Sequence, residues 1–266
     1  MLSMNRSDLV VLENIRLYGS THLIWLQAGN TYKSAVPGQF MMVTCGDSEA
    51  DYPDPLLGRA MSIYRLEVSE DYVRVGILYD VVGVGTRWLS KRSLGDVLKV
   101  LGPLGNGFKP DLRLKNMLLV GGGIGIAPLI WLSDRLVDEG AAVALIAGAR
   151  SIEGIFPKEL LRPEVEFISV TEDGSLGQKG LVTEPYGQLL SWSDQSFACG
   201  PDPMFEALHT VLLDVSPTKE LQALLEARMA CGFGVCYSCA VFPKKGSGVK
   251  LVCTDGPMIN SQTLYG

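Results

Sequence analysis

The chain of 266 residues is 47% hydrophobic and 20% charged, a composition typical of a globular protein long enough for two domains and a small appendage. Its formal net charge of −6 argues against a nucleic-acid partner, because phosphate binding needs clustered Lys and Arg, and no basic run suits an anionic membrane surface. The longest apolar stretch, 117–132, is interrupted by glycines and a proline and is too short to cross a bilayer. We expect a cytoplasmic protein, since the first residues lack the apolar segment of a signal peptide.

Residues 1–110 are predicted to form an antiparallel β-barrel. Four segments are rich in the β-branched, aromatic and apolar residues of strands: 22–26, 40–44, 72–79 and 97–101. Turn-forming residues fall between them, at Pro37 with Gly38, at Asp47 with Ser48, and at 93–96. Short strands separated by such turns are typical of an antiparallel barrel.

Two segments of the predicted barrel, 59–64 and 79–86, carry groups that suit a flavin dinucleotide. Such a cofactor needs a cation for its pyrophosphate, a hydroxyl near the polar edge of its ring, and an apolar or aromatic platform. Arg59, Ser62 and Tyr79 could supply these in turn. Taken singly, each of the three is more often an ordinary strand residue, so they gain weight only in combination.

Residues 111–214 are predicted to form an α/β domain. The apolar run 117–120 ends in a glycine-rich turn, and the stretch that follows carries Leu129, Leu132 and Leu136 at helical spacing. Further strands are expected at 142–147 and 165–170. This alternation predicts a parallel sheet with helices on its faces.

Two strand-to-helix turns of this domain are candidates for dinucleotide binding. The first contains Gly122, Gly123 and Gly125, and glycine lets a backbone approach a pyrophosphate at a helix N-terminus. This turn does not keep the G-x-G-x-x-G spacing of dinucleotide-binding proteins. The alternative to nucleotide binding is that its glycines serve only to pack the strand against the helix. The second contains Cys199 and Gly200, and is predicted to lie at the carboxyl edge of the sheet near a nicotinamide. Its alternative is a plain turn whose prolines start a helix.

Residues 215–266 are predicted to form a small module that holds a metal cluster. Four cysteines have the spacing C-x4-C-x2-C and then a distant fourth, as in plant-type [2Fe–2S] proteins: Cys231, Cys236, Cys239 and Cys253. Gly232 and Gly234 would let the loop bend around the cluster. Zinc is the alternative, although zinc ligands usually come as two matched C-x2-C pairs, and disulfides are disfavoured without a secretory leader. A region this small has little core of its own, so the cluster is expected to stabilise it.

The order of these parts resembles the ferredoxin-reductase-like family, with a flavin barrel, a nicotinamide domain and then an iron–sulfur module. Segments 228–241 and 252–257 carry the most specific likeness, which is to the electron-transfer subunits of two-component, NAD-linked (class 1B) dihydroorotate dehydrogenases. Segments 102–108, 121–128 and 171–175 are similar as well. The resemblance covers nearly the whole chain.

This resemblance implies an electron relay that uses FAD, a [2Fe–2S] cluster and NAD. The FAD site would be lined by Arg59, Ala60, Met61, Ser62, Leu78, Tyr79, Asp80, Gly85 and Thr86, and the four C-terminal cysteines would hold the cluster. A separate FMN-containing catalytic subunit would oxidise dihydroorotate in pyrimidine biosynthesis. Its electrons would cross the cluster and FAD to NAD+, in a heterotetramer of two subunits of each kind.

Two positions depart from the family pattern. The segment 59–62 has no proline before its serine, although the cation and the hydroxyl remain. Asp80 stands where the family commonly has a basic residue. A carboxylate beside flavin phosphates would be repelled by like charge, so we expect the Asp80 side chain to turn away or to bind a hydroxyl.

The three cofactors must act in the order cluster, FAD, nicotinamide. A [2Fe–2S] cluster transfers single electrons and a nicotinamide accepts a hydride, and a flavin can link the two kinds of transfer. His22 and His209 are more often structural residues than catalytic ones in such positions, so oxidation of the organic substrate is assigned to a partner. NAD is favoured over NADP, although Arg150 after a strand could meet a 2′-phosphate.

Three alternatives share these features. One is the electron-transfer subunit of another NAD(P)H-linked enzyme, such as a ferredoxin:NADP oxidoreductase or a sulfite reductase. The second is a stand-alone oxygenase reductase. The third is a zinc-stapled nucleotide-sensing protein, in which the cysteines would be purely structural.

Overall fold

The computed structural model describes residues 6–46, 55–244 and 248–266, so the turn predicted at Asp47 and Ser48 lies outside the described residues. The predicted antiparallel barrel is present, and six strands close it in the order β1-β2-β5-β4-β3-β6. They are β1 (Arg6–Tyr18), β2 (Thr21–Ala28), β3 (Phe40–Val43), β4 (Arg59–Val68), β5 (Val73–Asp80) and β6 (Val97–Leu104). A short helix, α1 (Val84–Leu89), follows β5.

Closure of the barrel depends on β1, which the sequence patterns did not predict. It pairs with β2 along one edge and with β6 along the other. Its residues Leu9 and Val11 are buried, but charged residues interrupt the apolar pattern along the rest of the strand. The alternation that marks a strand is therefore weak in this segment.

The predicted α/β domain is present, with four parallel strands at its centre. The elements are β7 (Asn116–Gly122), α2 (Ile126–Asp138), β8 (Ala142–Ala149), β9 (Val165–Thr171), β10 (Gln178–Lys179), α3 (Thr183–Leu189), β11 (Gln195–Cys199) and α4 (Asp202–Val215). Short 3-10 helices occur at Asn30–Ser34, Gly123–Gly125, Ile152–Gly154 and Lys158–Leu160. Because β7 lies between β8 and β11, the turns after β7 and β11 meet at one sheet edge.

The seven-stranded sheet continues past residue 214, in the order β10-β9-β8-β7-β11-β12-β15. Strand β12 (Leu221–Leu224) pairs parallel to β11, and β15 (Met258–Asn260) pairs antiparallel to β12. Between them lie the cysteines and a small hairpin of β13 (Ala240–Val241) and β14 (Lys250–Leu251), and α5 (Ser261–Tyr265) follows. The boundary at residue 215 stays a prediction, and the sheet runs across it.

The barrel packs directly on the α/β domain. Trp25 and Tyr64 of the barrel share a hydrophobic core with Ile130 and Phe156 of the α/β domain. On the cysteine side, Cys239 and Cys253 are buried in the core that contains Phe205 of α4. No helix within the described residues is both long and apolar enough to cross a bilayer.

Candidate functional site

A cavity of about 340 Å³ lies where the barrel meets the glycine turn after β7. It brings together ten of the residues singled out from the sequence. From the barrel side these are Arg59, Ala60, Met61, Ser62, Leu78, Tyr79, Asp80 and Thr86, and from the α/β domain they are Gly125 and Cys199. Residues as distant in sequence as Arg59 and Cys199 therefore face one space.

The cationic end of this cavity is built around Arg59. Its Nη1 donates to the carbonyl oxygen of Leu57 at 2.7 Å. A Cβ on Gly85 would lie 2.9 Å from Arg59 Nε, so the glycine permits the guanidinium to lie against the start of α1. The hydroxyl of Thr86 accepts hydrogen bonds from the backbone N–H groups of Val82 and Gly83, at 2.9 and 3.1 Å. Thr86 thus shapes the turn that precedes the helix.

Tyr79 and Asp80 have their polar atoms engaged within the protein. The Tyr79 side chain lies in the barrel core, where its hydroxyl donates to Asn14 Oδ1 at 3.0 Å and burial raises the pKa of the phenol. Asp80 Oδ1 accepts a hydrogen bond from Thr21 Oγ1 at 2.5 Å. Asp80 lines the cavity with its carboxylate bound to a hydroxyl, one of the two arrangements expected from the sequence.

The α/β wall of the cavity depends on a close approach of two turns. A Cβ on Gly125 would lie 2.4 Å from the Cys199 carbonyl oxygen, a distance that no side chain tolerates. Gly200 packs on Gly122, although less closely, since its Cβ would lie 3.1 Å from the Gly122 Cα. Gly200 therefore joins the two turns without lining either of the cavities described here.

A second cavity of about 320 Å³ adjoins the same turn on the α/β domain. Gly122 and Gly123 line it, together with Arg150 after β8 and Glu172 after β9. The carboxyl ends of β7, β8 and β9 thus border one space, the usual place for a ligand of a parallel sheet.

Glu226 is a site residue that the sequence analysis missed. It lines the first cavity and is open to solvent through it, yet protein surrounds it on its other sides. Burial raises the pKa of its carboxyl, and the carboxylates of Asp202 and Asp80 raise it further. Burial also raises the pKa of the Cys199 thiol, and the charge of Glu226 adds to that effect. The available signal was an acidic residue at the end of the mostly apolar run 221–225, two positions after β12.

The four C-terminal cysteines lie in one loop system. Cys239 and Cys253 are each 2% exposed, and their Sγ atoms are 3.2 Å apart. Cys231 is half-buried and Cys236 is exposed. The loop bends at two glycines as expected, because Gly232 and Gly234 have φ values of +81° and +86°.

Backbone amides and a hydroxyl in this loop point at the sulfur atoms. The N–H of Gly234 donates to Cys253 Sγ at 3.1 Å, and the N–H of Phe233 donates to Cys231 Sγ at 3.5 Å. The Ser238 hydroxyl lies 3.1 Å from Cys236 Sγ. Its hydrogen bond, together with those from the Ser238 backbone and from Cys231, lowers the pKa of the Cys236 thiol to about 6, toward the thiolate that binds iron. Burial instead raises the pKa of Cys253 to about 12.

Amide donors and a neighbouring hydroxyl suit a cluster whose sulfur atoms accept hydrogen bonds. In the part of the chain that the structure describes, no three His, Cys, Asp or Glu side chains are drawn together as around a metal ion. The ligand role of the four thiols stays a prediction.

The cysteine loop is joined directly to the first cavity. Glu226, Ala227 and Met229 line that cavity, and Cys231 follows two residues later. Gly232 packs on the barrel, where its Cβ would lie 2.6 Å from Met42 Cγ. One short segment therefore connects the two candidate sites.

Comparison with known proteins points to one family. Residues 226–265 match the family model described as the iron-sulfur cluster binding domain of dihydroorotate dehydrogenase B. The chain is 34% identical over 261 residues to the electron transfer subunit of dihydroorotate dehydrogenase B (NAD(+)) from Geobacillus sp. (strain WCH70), covering 97% of this chain and 98% of that protein. It is 37% identical over 228 residues to the corresponding subunit from Caldanaerobacter subterraneus subsp. tengcongensis, covering 85% of each.

Solved structures are similar over most of the chain. The structure of an NADH-dependent reduced ferredoxin-NADP oxidoreductase that carries out flavin-based electron bifurcation matches with a TM-score of 0.80 and 25% identity, covering 96% of this chain and 89% of that one. A ferredoxin NADP+ reductase from Neisseria gonorrhoeae matches with a TM-score of 0.63 and 18% identity, over 82% of this chain and 98% of that one. The second match concerns the fold alone.

Proposed function

The chain belongs to the family of electron transfer subunits of dihydroorotate dehydrogenase B (NAD(+)), and from this we propose that it passes electrons from a catalytic subunit through a [2Fe–2S] cluster and FAD to NAD+. The observation that carries the proposal is the continuity of the first cavity with the cysteine loop through residues 226–231. When bound, the flavin would exchange single electrons with the cluster and a hydride with the nicotinamide.

We assign FAD to the first cavity. Arg59 would bind the pyrophosphate, since its guanidinium lies beside Gly85 at the start of α1. Ser62 lines the same cavity and would offer its hydroxyl to the flavin. The Thr21 hydroxyl holds the Asp80 carboxylate by a hydrogen bond, which would keep this negative group from turning toward the cofactor phosphates.

We assign the dinucleotide substrate to the second cavity and the adjoining edge of the first. Gly125 and Cys199 line the first cavity and belong to the two turns whose neighbouring residues, Gly123 and Pro201, line the second. They would therefore orient the nicotinamide toward the flavin. Among the described residues that line the second cavity, Arg150 is positively charged and Glu172 negatively charged. A 2′-phosphate would meet the carboxylate as well as the guanidinium, which supports NAD over NADP.

We assign the cluster to Cys231, Cys236, Cys239 and Cys253. The amide donors of Phe233 and Gly234 would bind its sulfur atoms, and the positive φ of Gly234 aims one of these donors. All six cysteines of the chain are free thiols, which fits assembly of the cluster in a reducing cytoplasm.

The partner would be an FMN-containing catalytic subunit that oxidises dihydroorotate, in a complex of two subunits of each kind. We place its docking surface at the exposed apolar residues of the cysteine loop. Val235 and Tyr237 flank Cys236 in the chain and are 71 and 59% exposed, and Phe242, directly after β13, is 75% exposed. An electron donor must approach the cluster closely, and Cys236 is the exposed member of its four ligands.

The test is anaerobic isolation of the protein co-expressed with its catalytic subunit. We expect bound FAD, two iron atoms and two acid-labile sulfides per chain, FMN on the partner, and NAD+ reduction that depends on dihydroorotate. Isolated chain should reduce dyes with NADH but leave dihydroorotate unchanged. Turnover of dihydroorotate by the isolated chain, or zinc in place of iron, would contradict the proposal.

A further inference from the structure

An ion pair between Arg65 and Asp134 joins the barrel to the α/β domain. Arg65 Nε lies 2.6 Å from Asp134 Oδ2, and Arg65 Nη2 lies 3.3 Å from Asp134 Oδ1. Arg65 Nη2 also donates to the carbonyl oxygen of Leu160 at 3.2 Å. The two side chains are only 24% and 20% exposed. A contact through two nitrogen–oxygen pairs fixes orientation as well as distance.

An irregularity in β4 aims Arg65 at the α/β domain. The pairing of β4 with β5 shifts register between Ile63 and Arg65, and such bulges redirect side chains. Tyr64, at the bulge, is 1% exposed and packs near Phe156, with ring centroids 6.3 Å apart. Arg65 Nη1 donates to Tyr64 Oη at 2.9 Å. Two consecutive barrel residues therefore dock on the other domain.

The two ends of the ion pair belong to elements that line the first cavity. Arg65 lies on β4, the strand whose first residues, Arg59 and Ser62, face that cavity. Asp134 lies on α2, about two turns after the start of the helix at the glycine turn. Since a strand and a helix are stiff, the pair fixes the flavin-lining wall relative to the turn assigned to the nicotinamide.

We propose that the Arg65–Asp134 pair positions the two walls of the cleft and so sets the rate of hydride transfer between flavin and nicotinamide, without setting dinucleotide affinity. The inference rests on the proposed function. Neither residue lines either cavity, so each would act through geometry and not through contact with a ligand. Hydride transfer is sensitive to such geometry, because a misplacement of about 1 Å can cost about 100-fold in rate.

The test uses the intact complex carrying FAD and cluster, mixed rapidly with NADH in the absence of oxygen. We expect Asp134→Asn to slow flavin reduction by about tenfold or more, with the Kd for NADH changed by less than about twofold. The long-wavelength charge-transfer absorbance of the flavin–nicotinamide pair should weaken as well. Arg65→Lys, which keeps the charge but loses the two-point contact, should fall between Asp134→Asn and the unaltered protein.

A matched control lies on the same helix. Asp138→Asn removes the contact between Asp138 and Arg162, which stays within the α/β domain, and should leave the rate of flavin reduction unchanged. An unchanged rate in Asp134→Asn, even with a lower melting temperature, would overturn the proposal, as would a loss of NADH affinity that accounts for the slower rate. If Asp134→Asn fails to fold, the same criteria apply to Arg65→Lys. Failure of the unaltered complex to be reduced by NADH would instead overturn the proposed function, and this inference with it.

Discussion

The Thr21 hydroxyl and the Asp80 carboxylate form a 2.5 Å hydrogen bond at the end of the antiparallel pair of β2 and β5. Thr21 is 4% exposed, so water does not readily replace it as a donor. A negative side chain is thereby accommodated in a cavity that we assign to a doubly phosphorylated cofactor.

Removal of this donor should weaken FAD binding. We expect Thr21→Val to raise the Kd for FAD by about tenfold, because the freed carboxylate repels the phosphates and a buried charged hydrogen bond is worth about 1.5–3 kcal/mol. Titration of the FAD-depleted protein with FAD measures the effect. The double variant with Asp80→Asn should bind more tightly than Thr21→Val alone, and an equal loss in both would contradict the electrostatic explanation.

Replacement of a proposed cluster ligand should remove the iron–sulfur cluster and leave FAD bound. We expect Cys239→Ser to abolish the iron–sulfur absorbance and nearly all electron transfer from the catalytic subunit, while the FAD content and dye reduction by NADH are retained. Cys45→Ser is the control, since Cys45 lies buried in the barrel core and should leave the iron content unchanged. Retention of iron and acid-labile sulfide by Cys239→Ser would refute the ligand assignment.

Gly125 should tolerate no side chain. We expect Gly125→Ala to destabilise the protein by about 1–3 kcal/mol and to slow flavin reduction by NADH, because its Cβ would lie 2.4 Å from the Cys199 carbonyl oxygen. Chemical denaturation and rapid mixing measure the two effects. Gly29→Ala is the matched control, since a Cβ there has no neighbour within 4 Å, and it should be nearly neutral.

Glu226 should give the stability of the protein a distinct pH dependence. Its pKa is raised in the folded state, chiefly by desolvation in the cavity wall, so between pH 4.5 and the folded pKa the folded protein holds a proton that the unfolded chain has released. This contribution is fully present below the ordinary pKa of 4.5 and is lost as the pH rises through the folded pKa. Denaturation midpoints measured at successive pH values should therefore decline less steeply with rising pH in Glu226→Gln than in the unaltered protein. Parallel curves would show that Glu226 does not titrate in this way.

The exposed apolar residues of the cysteine loop should be required for assembly. We expect Phe242→Glu to weaken association with the catalytic subunit by about tenfold or more, because a charge would be buried at the interface, while cluster and FAD content stay unchanged. Leu213→Glu, at a 41% exposed position on α4, is the control. Titration of one subunit with the other measures the binding affinity. Equal affinities of Phe242→Glu and Leu213→Glu would argue for a different docking surface.

Local patterns in the sequence predicted the barrel and the parallel sheet but not every strand of either. The apolar runs gave β2, β3, β5 and β6 of the barrel, and the change to alternating strands and helices after Lys115 gave the parallel sheet. Strand β1 was missed because its charged residues mask the alternation. The continuation of the sheet into β12 and β15 was missed because pairing between distant segments leaves little trace in either one.

The candidate site was predicted unevenly for the same reason. Cysteine spacing is a local property, and the structure brings those four thiols into one loop system. The roles of Glu226 and of the Arg65–Asp134 pair arise only when distant segments meet in the fold. No pattern within one segment predicts such a contact. From charge alone, the sequence predicted that the Asp80 side chain would either turn away from the flavin phosphates or bind a hydroxyl. The structure identifies that hydroxyl as Thr21, on the neighbouring strand β2.

The strands on either side of the cysteine segment, β12 and β15, hydrogen-bond to each other in the main sheet. Both ends of the cysteine segment are therefore held by backbone hydrogen bonds of the main sheet. A variant that weakens the pairing of β12 with β15 would consequently loosen both ends of the loop at once.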